Sequence, residues 1–244
     1  MKRIDDRPRH AQIAADLRAK ILSGDITGTL PTFKLLKDLY NTSTNTAQRA
    51  VALLKAEGFV EGQQGKALII RSDRIRITDA ASQLQPPADT ITYQVLHIGQ
   101  ERPPTDAAAK LGLAENQTAL LRKRLMLRDD DPVEIEWSYY PESVVTGTAL
   151  DKPPHQIQRD LATAPTALAA LGWQQHGLID EIQVREPTTE ELQTLELPDE
   201  IPVMRTLRTI TDAEGTVLEV TVMITSGHLY GVRYHQTLTP QEPA

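Results

Sequence analysis

Apolar residues recur every four positions at Ile13, Leu17 and Ile21, in a stretch opened by Pro8 and followed by Gly24. That spacing predicts an amphipathic helix from Pro8 to Ser23, because Pro suits a first helical turn and Gly suits the left-handed stop. Thr32 then stands as an N-cap before Phe33, Leu35, Leu36 and Leu39, the expected buried side of a short second helix. Ser43 caps a third, in which Ala47, Ala50, Val51 and Leu54 fall at i, i+3, i+4 and i+7. Phe59 and Val60, then Ala67 to Ile70, are short β-type runs around Gln63, Gln64 and Gly65, a hairpin with a polar tip. Three helices followed by a hairpin make a winged helix-turn-helix.

Between Thr78 and Thr90 the sequence TDAASQLQPPADT loses its periodicity, so a linker is expected over residues 78–90. It separates an N-terminal domain, 1–77, from a second, 91–239, with a tail at 240–244. The second domain reads as strand Ile91 to Ile98, a helix near Thr105 to Leu111, and a hairpin from Leu120 to Tyr140. Helices around Ala164 to Leu171 and Thr188 to Leu195 follow, the latter opened by the capping-box pair Thr188 and Glu191. A strand from Leu178 to Val184 separates them, a second hairpin spans Val203 to Thr225, and a last strand runs from Val232 to Leu238. Hairpin-joined strands with interspersed helices predict an α+β domain, mixed α/β with a mainly antiparallel sheet. RLMLRDDDPVEIEWSY and RTLRTITDAEGTVLEVTV both read strand, acidic turn, strand. The echo reads either as an internal duplication or as the trace that any two polar hairpins share.

Strand alternation sorts the first hairpin into two faces. Leu121, Leu125 and Leu127 lie opposite Arg122, Arg124 and Arg128; on the return strand Val133, Ile135, Trp137 and Tyr139 lie opposite Glu134, Glu136 and Ser138. With the turn centred on Asp130, Arg124 meets Glu136 and Arg122 meets Ser138, and the second hairpin sets Arg208 against Glu219. These pairs read either as solvated cross-strand ion pairs, each contributing a few tenths of a kcal/mol, or as a polar pocket. In the pocket, Arg would take a carboxylate or phosphate and Glu the hydroxyls or amines of a small effector.

Charge sharpens the division of labour. The chain carries −7 overall, yet residues 1–78 hold 14 Lys and Arg against 8 Asp and Glu, and the remainder 12 against 25. A head of +6 and a body of −13 is the asymmetry expected when only one domain meets phosphate. On the third helix the residues turned away from the core include Thr44, Asn45, Gln48 and Arg49, side chains of the kind that read base edges and phosphates.

Cysteine is absent, which removes disulfides, thiolate catalysis and most structural zinc. His10, His97, His155, His176, His228 and His235 have no metal-ligand spacing, so neither metal nor cofactor is expected. No apolar run approaches the roughly 18 residues of a membrane span, and MKRIDDRPRHAQIAADL has no signal-peptide core. A soluble, cytoplasmic protein without membrane partners is expected.

Residues 8–71 resemble the N-terminal domain of the GntR family of bacterial transcription regulators, through HAQIAADLRAKILSG, LPTFKLLKDLY, TNTAQRAVALLKAEG and QQGKALII. The resemblance implies that Lys34, Thr44, Asn45, Gln48, Arg49 and Lys66 lie nearest DNA, with Arg9 on a phosphate. Lys2, Arg3 and Arg7 would add counterion release or form only a solvated tail. Where the family carries an acid, an Arg and a more basic wing, this chain has Phe33, Thr44, and Gly62 with Gln63, departures that bear on operator choice. Residues 90–239 resemble the UTRA ligand-binding domain of the family's HutC branch, related in fold to chorismate lyase. That match is carried by DAAAKLGL, RKRLMLRDDDPVEIEWSYYP, TTEELQTLELPDEIPVMRTLRTITDAEGTVLEVT and HLYGVRYH. It implies an effector pocket including Arg122, Arg124, Ser138, Glu219 and Tyr230, beside Glu136 from the hairpin register.

The function expected is that of a sequence-specific DNA-binding regulator, a repressor modulated by a small-molecule effector and not an enzyme. Its partners would be a palindromic or pseudo-palindromic double-stranded operator and a second copy of itself, since two linked heads multiply affinity through effective concentration. An effector-independent dimeric repressor is the alternative reading, and a lyase-like enzyme using Glu136 with Arg124 a remote one.

Overall fold

The computed structural model describes residues 5–62, 67–71, 76–79, 91–152, 156–157, 167–198 and 201–235. The wing tip with Lys66, residues 80–90 of the expected linker, Lys2, Arg3, His155 and residues from 236 onward lie outside the described residues. The chain divides into two compact units, Met1–Arg76 and Ile77–Ala244.

In the first unit, α1 (Arg9–Ser23) is preceded by Pro8 and stopped by Gly24 in the left-handed region at φ 80°. Helix α2 (Phe33–Tyr40) is capped by Thr32, whose hydroxyl accepts from the Leu35 amide, and α3 (Thr44–Ala56) by Ser43, which accepts from Thr46. Ile13, Leu17, Leu36, Val51, Leu54 and Phe59 form the core of the unit. Glu57 is buried beside α1 and receives both Arg18 Nε at 2.8 Å and Nη2 at 2.5 Å, a fork that ties α1 to the end of α3. The wing strands β1 (Val60–Glu61) and β2 (Ile69–Ile70) pair antiparallel, Val60 opposite Ile70. One expectation fails: Leu35 and Leu39 are 55% and 57% exposed. Of the four apolar residues assigned to the buried side of this short helix, only Leu36 reaches the core; Leu35 and Leu39, four apart, share an outer face.

The second unit contains a six-stranded antiparallel sheet in the order β4-β5-β6-β9-β8-β7. Its strands are β4 (Ile91–Glu101), β5 (Ala119–Arg128), β6 (Asp131–Tyr140), β7 (Gly177–Arg185), β8 (Val203–Thr211) and β9 (Val217–Ser226). Among the described residues its helices are α4 (Thr105–Lys110), α5 (Glu142–Val145), α6 (Ala167–Ala170) and α7 (Thr189–Thr194). The reciprocal capping box of Thr188 and Glu191 opens α7. The order of elements, β4-α4-β5-β6 and then β7-α7-β8-β9, repeats one strand-helix-hairpin unit, and the two halves meet where β6 pairs β9. The echo between the two hairpin sequences therefore corresponds to a repeated topology.

A two-stranded sheet pairs β3 (Arg76–Asp79) with β10 (Tyr230–Arg233). Thr78 and Asp79, expected in the linker, are thus in a strand, and the last described strand starts and ends earlier than Val232 to Leu238. One face of the six-stranded sheet is apolar: Leu121, Ile135, Tyr139, Val220, Val222 and Leu207 pack there with Ala107 of α4 and with Leu195. The opposite face ends in a second apolar cluster, with Leu120, Tyr140 and Ile210 against Val144, Val145, Leu150 and Leu168. Beyond that cluster this face carries buried polar and charged side chains, with Met126, Met204 and Met223 among them.

Candidate nucleic-acid interface and candidate effector site

Helix α3 turns Ala47, Ala50, Val51 and Leu54 inward, which leaves Thr44, Asn45, Gln48 and Arg49 exposed on the outer face. Lys34 is exposed on the first turn of α2. Arg9, exposed at the start of α1, donates from Nη2 to the Tyr40 carbonyl at 2.9 Å and from Nη1 to Gln12 at 3.2 Å. It therefore holds the C-terminal end of α2, where an unsatisfied carbonyl accepts a cation well. Lys55 donates to the Gly62 carbonyl at 2.7 Å, fastening the wing to the end of α3. Arg7 forks onto Asp5 at 2.9 and 2.7 Å.

In the second unit the first hairpin has the register anticipated from its sequence: Arg122 opposite Ser138, Arg124 opposite Glu136. A shift after Met126 produces it. Beside the turn, Arg128 meets Asp131 and Leu127 meets Pro132, with Asp129 and Asp130 both at positive φ, 50° and 68°, as a two-residue primed turn requires. Carried on unchanged, that register would set Arg124 against Ile135; the bulge moves it by one residue and returns Glu134, Glu136 and Ser138 to the arginine face. The second hairpin differs from expectation. Arg208 pairs with Thr221 and Ile210 with Glu219, because the loop 212–216 and a shift at Thr211 displace the register by two residues. An even displacement keeps the face, so Glu219 still lies on the side of Arg208.

These strands bring a charged network together. Arg122 is 0% exposed, Arg124 1% and Glu136 7%, so the reading as solvated ion pairs is overturned. Arg124 donates to Glu136 and lies 4.3 Å from the centre of the Tyr93 ring. Arg122 lies 5.6 Å from the Tyr140 ring, and the Tyr140 hydroxyl donates to Glu219 at 3.2 Å. Thr221 donates to the same Glu219 oxygen at 2.8 Å, and its hydroxyl is 3.0 Å from that of Ser138. Arg208 forks onto Asp180 of β7 at 2.8 and 2.7 Å, where Tyr234 also donates at 2.7 Å. Burial, then that carboxylate, push the Tyr234 hydroxyl up to about 12. Glu134 is buried and hydrogen bonded to Glu136; desolvation first, then the Glu136 charge, hold its carboxyl well above the usual range despite Arg208 and Arg124.

Arg122, Arg124, Glu136, Ser138 and Glu219 thus share one buried face. Tyr230 does not join that sheet; it is half-buried on β10. Sequence reasoning missed Tyr93, Asp180, Tyr140, Thr221 and Tyr234 as members. Alternation already aligned Glu134 with Glu136, whereas the contribution of β7 depends on sheet order, which no local pattern reports. Among the described residues no group of His, Asp and Glu is arranged to hold a metal, and no helix is long and apolar enough to cross a membrane.

A helix-turn-helix head with a wing, joined in one chain to a sheet with a buried polar face, defines a DNA-binding regulator with a sensory second domain. Residues 9–70 match the gntR family of bacterial regulatory proteins and residues 88–230 match the UTRA domain. The chain belongs to the GntR family, in its UTRA-bearing, HutC-type branch, and is a transcription regulator. It is 28% identical over 222 residues to an uncharacterized HTH-type transcriptional regulator of Rhizobium meliloti strain 1021, covering 85% of this chain and 86% of that one. A second HTH-type regulator, from Streptomyces coelicolor, is 24% identical over 250 residues, 93% and 92% of the two chains. The fold is shared with PhnF from Mycobacterium smegmatis, at TM-score 0.56 and 16% identity over 93% of this chain and 100% of that one. It is also shared with the possible transcriptional regulator YydK from Bacillus subtilis, at 0.55 and 17% over 95% and 100%.

Proposed function

We propose that the chain is a cytoplasmic repressor that binds a palindromic or pseudo-palindromic operator as a homodimer, and that a small effector on the polar face of the six-stranded sheet alters this binding. Thr44, Asn45, Gln48 and Arg49 read the major groove, with Lys34, Lys66 and Arg9 serving the phosphates. Repression and dimerisation rest on the family and on the small DNA footprint of a single winged head. The protein acts by binding and not by turnover.

The observation that carries the effector site is the burial of Arg122, Arg124, Arg208, Glu134, Glu136 and Glu219 on one sheet face. For stability alone, well-packed apolar residues would serve as well as buried ion pairs, whose desolvation cancels much of their attraction. A polar face built at that cost fits recognition of a polar small molecule.

The test is a salt-controlled titration against DNA from upstream of the protein's own gene, with scrambled duplex as competitor. Binding that survives about 0.15 M salt and excess competitor supports an operator. Equal loss on both duplexes counts against autoregulation. Release of the specific complex by a metabolite fraction, abolished by Arg124→Ala in a protein that still folds, supports the effector site; release that persists in that variant counts against it.

A further inference from the structure

Two of the three guanidiniums on the polar face already hold a carboxylate. Arg124 has Glu136 and the Tyr93 ring, Arg208 has Asp180 in a fork, and Arg122 stacks on Tyr140. Four carboxylates, Asp180, Glu134, Glu136 and Glu219, stand against these three cations. A phosphate or carboxylate binding Arg124 or Arg208 would have to displace Glu136 or Asp180. Glu134 and Glu136 touch each other, and burial beside that second carboxylate favours the protonated form of Glu134. Directly across β9 from Glu134 is Thr225, 6% exposed, whose Oγ1 has no hydrogen-bond partner among the described residues. A buried hydroxyl without a partner is uncommon and calls for a ligand or ordered water.

Resting on the effector-site reading above, we infer that this face takes a small organic cation, an ammonium group held by Glu134, Glu136 and Thr225 Oγ1. An ammonium has three donors and no acceptor, which matches two carboxylates and a hydroxyl oxygen. When it enters, the proton on Glu134 leaves to solvent and the positive charge of the ligand replaces it, so the charge of the site is unchanged. Arg124 from β5, Arg208 from β8 and Tyr93 from β4 face the same carboxylates, and Met126, Met204 and Met223 adjoin them in the register without charge. One proton released per ligand makes ammonium affinity rise about tenfold per pH unit while Glu134 stays protonated in the free protein.

The test uses the full chain at constant ionic strength, with ethanolamine and 1,4-diaminobutane as cationic probes, inorganic phosphate and acetate as anions, and ethylene glycol as neutral control. Thermal unfolding is expected to shift upward with the amines alone, more so at higher pH, and to lose that shift in Glu134→Gln. Glutamine has the shape of the protonated carboxyl, so that variant keeps the free fold, checked by circular dichroism; Thr225→Val gives a second, smaller loss. Stabilisation by phosphate or acetate without the amines overturns the cationic ligand and leaves an effector site standing. An equal amine shift in Glu134→Gln overturns the assigned residues. No shift with any probe overturns the ligand class, while operator binding is decided by its own titration.

Discussion

Glu134 illustrates how a single side chain on this sheet couples to pH. Its folded form keeps the proton above the ordinary value of 4.5, because burial and Glu136 disfavour the charge, whereas the unfolded chain ionises near that value. The folded state therefore binds more protons in that interval, and its stability falls as pH rises through it. Urea midpoints at about pH 5 and about pH 8 should converge in Glu134→Gln and diverge in the native chain, by up to about 1.4 kcal/mol per pH unit crossed. On the recognition helix, Gln48→Ala and Asn45→Ala should each weaken specific DNA by about 1–3 kcal/mol and leave scrambled duplex unchanged. Lys34→Ala should weaken both duplexes alike and lower the salt slope by about 1. Competition titrations at several salt concentrations distinguish the two kinds of contact.

The elements depend on local devices whose loss is measurable. Thr188 accepts from the Glu191 amide at 3.3 Å while Glu191 accepts from the Thr188 amide at 2.8 Å, and Arg185 forks onto the same carboxylate at 2.7 and 2.6 Å. Burial raises the Glu191 carboxyl, but Arg185 and the cap hold it below the usual range. Thr188→Ala should cost about 1 kcal/mol in urea unfolding. The β5–β6 turn needs positive φ at Asp129 and Asp130, residues that tolerate it less well than Asn-Gly. Replacing the pair by Asn-Gly should raise stability by up to about 1 kcal/mol without moving the Arg124–Glu136 register, since the bulge, not the turn alone, sets it. Helix α2 shows the limit of periodicity over eight residues: the pattern points four apolar positions inward, and only Leu36 is buried.

For the whole molecule, the proposed paired heads predict that an operator cut to one half-site binds about 10²–10⁴-fold more weakly than the full site. Sedimentation equilibrium with and without DNA reports whether the copy number matches. The repeated strand-helix-hairpin halves put Arg124 and Arg208 on the second strand of each half and on one face, each holding a carboxylate, Glu136 and Asp180. The site is thus assembled by sheet closure at β6 and β9, with ligands drawn from residues as distant in sequence as Tyr93 and Tyr234.

What the sequence determined by itself were the local features: helix caps at Thr32, Ser43 and Thr188, the exposed polar face of the third helix, both hairpins, and the Arg124–Glu136 and Arg122–Ser138 pairs. Each depends on segments adjacent in sequence, where spacing and turn chemistry act directly. Tertiary structure alone decided that these ions are buried, that Asp180 and not Glu219 takes Arg208, and that Thr225 meets Glu134. Burial and cross-sheet neighbours follow from which strands close beside each other, and that is settled by the packing of distant segments, which no local period encodes.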